Sequence, residues 1–166
     1  MALINEIEKT LHENFQCKPN KSNIYELDEK SETNYPSTRL KKQGKMLVYK
    51  LDEKNPFPFF KDGCAKSICD YVIFYEKKEQ FFVILGNLKS KNKSNTHGQI
   101  DAGHTFSKFI VETAKRCFSS NQDTIFVALH IMKKVFNETK IEEYKNGLRY
   151  KYHRCSSDCD LDEICY

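Results

Sequence analysis

The sequence predicts an α/β domain with a mixed central β-sheet flanked by helices. Three observations carry this prediction. Two apolar runs rich in β-branched and aromatic residues, Tyr71–Tyr75 and Phe81–Leu85, stand either side of the charged turn Glu76-Lys77-Lys78-Glu79-Gln80 and read as an antiparallel hairpin with buried strands. Next, Ile100, Phe106, Phe109, Ile110, Ala114 and Cys117 recur at helical spacing and predict a helix over 97–118. The strongly apolar run Thr124–Ile131 follows, so that helix is a crossover and the new strand lies parallel to a neighbour.

The other elements follow in chain order. Leu3, Ile4, Ile7, Leu11 and Phe15 predict a first amphipathic helix over 2–15, with Glu6, Glu8, Lys9 and Glu13 mostly on its other faces. Residues 16–42 are polar and broken by Pro19 and Pro36, which predicts an irregular loop with one short element near Ile24–Leu27. The run 45–51 (KMLVYKL) is a first strand. Pro56 and Pro58 prevent it from continuing, and the aromatics of 55–60 are expected to cover one end of the core. In the charged tail, 133–166, a short helix near Thr139–Lys145 and a short strand near Leu148–His153 are expected. The order is therefore helix, three strands, helix, strand, with its core at about 45–131 and a C-terminal extension over 133–166.

The 166 residues suffice for a single domain, 1–166, and leave no room for a second large core. A net charge of +4 permits contact with a polyanion without requiring it. No apolar run approaches the roughly 20 residues of a membrane helix, so no membrane partner is expected. The acid-bearing start MALINEIEKTLHENF lacks the apolar core of a signal peptide, which points to the cytoplasm and to reduced thiols for the seven cysteines.

The hairpin also carries a polar constellation. Asp70 opens its first strand, while Asn87 and Lys89 close the second on one face. Antiparallel pairing brings the start of one strand beside the end of the next, so a carboxylate, an amide and an ammonium meet at the sheet's rim. Taken alone, Asp70 and Lys89 are an ordinary strand-end ion pair, worth little if exposed. The element order around them weighs on the other side.

That order, with Cys69-Asp70 and Asn87-Leu88-Lys89 at the strand ends, resembles the PD-(D/E)XK (restriction-endonuclease-like) nuclease superfamily over roughly 45–131 and the first helix. The resemblance implies a restriction-endonuclease-like core (α-β-β-β-α-β) and metal-dependent phosphodiester hydrolysis of nucleic acid, with DNA favoured. It implies Asp70, Asn87 and the Leu88 backbone carbonyl as ligands of Mg²⁺ or Mn²⁺, Lys89 as the catalytic lysine, and Gln99 as a polar orienting residue. Mg²⁺ keeps several waters around one or two carboxylates plus substrate phosphate, and neutralises the phosphate while activating a water. A positioned lysine orients that water and stabilises the growing charge. By analogy such nucleases serve in restriction or anti-phage defence, as homodimers or beside a partner protein.

Asn87 departs from the acidic residue usual in the triplet. Three accounts follow: Asn87 serves as a neutral ligand, Glu6 or Glu112 supplies the missing carboxylate, or the fold persists as a catalytically degenerate nucleic-acid- or protein-binding module. A nucleotide-binding alternative has no glycine-rich phosphate loop to support it. His97 and His104 lie about two helical turns apart and read as surface or capping residues. The basic run 89–93 suits phosphate contacts. His153, Cys155, Cys159 and Cys165 supply only one pair at zinc-ligand spacing, so no structural Zn²⁺ is expected there.

Overall fold

Residues 2–28, 37–51, 67–89, 96–132, 143–145, 147–154 and 158–166 are described by the computed structural model. In chain order the elements are α1 (Leu3–Thr10), a 3-10 turn (Glu13–Phe15), β1 (Gln16–Cys17), β2 (Ile24–Asp28), β3 (Ser37–Lys41) and β4 (Lys45–Lys50). They continue with β5 (Tyr71–Lys77), β6 (Gln80–Lys89), α2 (Thr96–Phe118), β7 (Thr124–Met132), β8 (Glu143–Lys145), β9 (Leu148–Arg154), β10 (Asp158–Cys159) and α3 (Leu161–Cys165).

The chain is mixed α/β, built on a seven-stranded sheet in the order β1-β4-β5-β6-β7-β9-β8. β4, β5 and β6 are mutually antiparallel, while β7 joins β6 in parallel after the α2 crossover and β9 joins β7 in parallel. The expected hairpin forms around the two-residue turn Lys78-Glu79, tighter than the charge pattern suggested, with Lys78 at φ 57°.

β5 and β6 read as nearly continuous apolar runs because both faces of the sheet are covered. On one face Val72, Phe74, Phe81, Val83 and Leu85 pack against Leu3, Ile7, Ile100, Val111 and Ala114 of α1 and α2. On the other, Tyr71, Ile73, Tyr75, Phe82 and Ile84 meet Tyr25, Leu27 and Leu40 of a small sheet and Leu161 and Ile164 of α3. Polar contacts pin this second layer. The Tyr71 hydroxyl donates to the Asp28 carbonyl at 2.9 Å, and the Lys50 ammonium donates to the Asp28 carboxylate at 3.1 Å. Asp162 pairs with Lys77 and accepts from the Tyr75 hydroxyl at 3.1 Å.

Three expectations are corrected. The stretch 16–42 is not an irregular loop with one short element: β1 extends the main sheet, and β2 and β3 pair antiparallel in a three-stranded sheet with β10. Each of β2 and β3 alternates buried and exposed residues over only five positions. The partner β10 lies at the far end of the chain, so local periodicity carries little of the signal. Secondly, Glu143–Lys145 of the expected tail helix form β8, which turns at Gly147 (φ 76°) into β9; residues 139–142 lie outside the described residues. The sequence Asn146-Gly147 is a strong two-residue hairpin signal and outranks the charged pattern around it. Thirdly, α1 ends at Thr10 rather than Phe15, because His12 caps a separate turn by accepting from the Asn14 N–H at 3.2 Å. Leu11 and Phe15 still pack against the helix-side core. The aromatic cover expected of 55–60 lies outside the described residues.

One glycine sets how closely α2 approaches the sheet. A Cβ at Gly103 would stand 2.3 Å from the Cys69 Sγ and 3.2 Å from its Cβ, next to Asp70. Gly103→Ala is therefore expected to lose about 1–3 kcal/mol to overpacking, despite alanine's better helix propensity. Denaturant unfolding reads the loss, and Cys69→Ala in the same chain should return part of it by removing the nearest atom.

Candidate active site at the carboxyl ends of the parallel strands

The register Tyr71↔Gly86 places Asp70 opposite Asn87, just beyond the paired part of β5. The Asp70 N–H donates to the Asn87 Oδ1 at 3.1 Å, and the Leu88 N–H donates to the Asp70 Oδ2 at 2.6 Å. The Asn87 Nδ2 donates in turn to the Gln99 Oε1 at 3.3 Å, in the first turn of α2. Three residues from two strand ends and a helix thus form one connected polar chain. Asp70 is 5% exposed and Asn87 0%, with Gln99 half-buried. A bond from a backbone N–H to an ionised carboxylate is short and strong, which suits the 2.6 Å contact.

A strand residue directs its N–H and C=O to the same side. With its N–H on Asp70, Leu88 turns its carbonyl toward that same edge. A carboxylate and a backbone carbonyl there match the sparse oxygen set from which Mg²⁺ is held when water and substrate phosphate complete its shell. The Asn87 Oδ1 accepts from the Asp70 N–H and keeps a second lone pair. Its amide positions Asp70 and Gln99. Among the described residues, no three His, Cys, Asp or Glu side chains are grouped to hold a metal, so the donor set rests on one carboxylate.

The structure sorts the remaining expected residues. Lys89 ends β6 opposite Met132; its side chain and the basic run 90–93 lie outside the described residues. Glu6 is buried at 1% exposure on α1, with Oε1 at 3.2 Å from the Lys9 ammonium. Its Oε2 has no hydrogen-bond partner among the described residues, an arrangement that calls for an explanation in a native protein. Glu112 is not brought to Asp70. It pairs with Lys115 on the exposed side of α2, and thirteen residues of helix separate it from Gln99, about 20 Å along the axis. His97 and His104 also part company: His104 packs edge-on to Phe126 at 4.7 Å, with burial and then Lys108 lowering its pKa.

A second set of residues borders this row, and apart from His97 it was not singled out from sequence. The register Asn87↔His130↔Tyr152 continues the row begun by Asp70 across β7 and β9. The His130 ring stacks on Tyr152 (5.1 Å, 21°) and Tyr150 (5.7 Å, 10°), and His97 of α2 stands edge-on to His130 at 5.7 Å and to Tyr150 at 5.6 Å. The signal was present: His130 interrupts an otherwise apolar run, and period two puts it on the helix-facing side with Phe126 and Ala128. The row lies at the carboxyl ends of the parallel strands β6, β7 and β9, where open α/β sheets place their ligands. The α2 N-terminus carries no acidic residue in its first turn and brings positive helix-end potential to the same place.

The C-terminal thiols sit elsewhere. Cys155 lies outside the described residues, while Cys159 and Cys165 are buried in the second core. Burial pushes both thiols up to about 12, away from the thiolate that reacts with electrophiles. His153 instead faces the Thr38 hydroxyl at 3.3 Å. Native-state labelling followed by mass spectrometry should modify the exposed Cys117 quickly and Cys159 and Cys165 only after unfolding.

Comparison of the chain with protein-family models, with curated proteins and with solved structures finds no match. No helix among the described residues is long and apolar enough to cross a membrane.

Proposed function

We propose that this chain is a nuclease-like domain of the PD-(D/E)XK type that hydrolyses phosphodiester bonds in nucleic acid with Mg²⁺ or Mn²⁺. The observation that carries the reading is the hydrogen-bonded chain Asp70–Asn87–Gln99 at the rim of the sheet. It joins three of the positions that the resemblance selects on motif alone. The order α1-β4-β5-β6-α2-β7, with β1–β3 inserted after α1, antiparallel through β6 and then parallel, supports this reading.

In this reading Asp70 and the Leu88 carbonyl hold the ion, Asn87 fixes the Asp70 backbone, and Gln99 ties the α2 N-terminus to the site. The resemblance assigns Lys89 to the attacking water. A bound ion supplies charge neutralisation at the scissile phosphate and a water of lowered pKa. Glu6 is the reserve carboxylate on the same side of the sheet.

A second reading, a catalytically degenerate binding module, is favoured by one specific observation: Asn87 brings no charge to the ion, and its oxygen already accepts from the Asp70 N–H. Cleavage of plasmid and single-stranded substrates with Mg²⁺ and Mn²⁺ separates the two. If the nuclease reading holds, Asn87→Asp should raise metal affinity and rate on the order of tenfold, since affinity follows ligand charge. The same substitution lowers stability without metal, because two carboxylates then face each other and the donor to Gln99 is lost. No cleavage and no calorimetric metal binding by either protein would leave the binding module.

A further inference from the structure

We infer that the rings beside the polar row form a stacking platform for an unpaired nucleobase, so that the site takes single-stranded or locally opened nucleic acid. The inference rests on the nucleic-acid reading above and specifies its substrate class. The rings form two tiers. His130 and Tyr150 are 4% and 1% exposed and lie nearly parallel, 5.7 Å apart. Above this buried tier, His97 is exposed and Tyr152 half-buried. The edge-on packing of His97 against both buried rings fixes its orientation while leaving it at the surface.

Position decides what such a platform would serve. His130 pairs with Asn87 and Tyr152 with His130, so at about 4.8 Å per strand their backbone positions lie roughly 5 and 10 Å from that of Asn87. A phosphate held at Asp70 would bring the base of its own nucleotide, or of the next, within reach of those rings. In a duplex the base faces are occupied by neighbouring pairs, whereas an unpaired base offers a free π-face. Every base has such a face, so this recognition is tolerant of sequence. Two of the four rings are imidazoles, which stack on bases as phenols do.

The test uses fluorescence anisotropy of the full chain, without divalent ions, on three labelled probes: a short thymidine strand, an abasic strand of equal length, and a hairpin duplex. The base-bearing strand should bind on the order of tenfold more tightly than the abasic strand, and more tightly than the duplex. His97→Ala and Tyr152→Leu should each erase most of that preference without weakening abasic binding, while Tyr152→Phe should keep it. Thermal melting of each variant separates lost stacking from lost folding. Equal affinity for base-bearing and abasic strands would overturn the platform, as would a preference that survives both truncations. Metal-dependent cleavage alongside either result would leave the nuclease reading standing. Failure to bind any probe would overturn the platform, and the absence of metal-dependent cleavage beside it would overturn the nuclease reading as well.

Discussion

Asp70→Ala is expected to lower metal-dependent cleavage by on the order of a hundredfold or more, the scale seen when a charge-stabilising group is removed from an active site. It should also cost about 1–3 kcal/mol of stability, because the buried Leu88 N–H loses its acceptor. The two effects are separable. Asp70→Asn keeps an oxygen for Leu88 but removes the charge, so it should melt close to the parent chain and still fail to cleave. Parallel loss of activity and stability in both variants would reduce Asp70 to a strand-end fastener. Retained cleavage in Asp70→Asn would move the metal-binding role to another carboxylate, with Glu6 the first to substitute.

Phe74→Ala should be the most destabilising single truncation. Phe74 is fully buried between Tyr49, edge-on at 5.9 Å, and Phe81, stacked at 6.2 Å. It also lines an apolar cavity of about 120 Å³ with Leu11, Phe15 and Phe106, so space already lies beside the ring. Truncation would enlarge that space where α1 and α2 meet the sheet. The expected loss is about 3–5 kcal/mol, or a melting temperature lower by roughly 10 °C. Phe74→Leu, which keeps most of the volume, should recover more than half. A loss below about 1 kcal/mol would mean that the helices settle readily onto the vacated position.

How far the sequence reveals this arrangement depends on how local each signal is. The hairpin, α2 and β7 are legible because their apolar periodicity is long and self-contained, and the strand ends then bring Asp70 and Asn87 together. Gln99 is implied by the resemblance, and the structure bonds it to Asn87 from the first turn of α2. β2, β3 and β10 are hidden because each offers few apolar positions and their pairing spans the chain. His130 and Tyr152 are hidden for another reason. Their meaning comes from register across parallel strands, which the spacing within one strand does not encode. Glu112 shows the converse error: its residue type suits the chemistry, but the helix carries it away from the site.

The parallel pairing of β10 with β3 has a consequence for how the protein is made. Asp158 and Cys159 pair with Arg39 and Leu40, and Leu161, Ile164 and Cys165 cover the sheet beyond. During synthesis, the helix-covered face can assemble from residues up to β9, but the opposite face has only β2 and β3 to cover it until α3 has emerged. For that interval Tyr71, Ile73, Phe82 and Ile84 present an incompletely covered apolar surface on a nascent chain. Docking of α3 is thus also the step that completes the cover over those side chains.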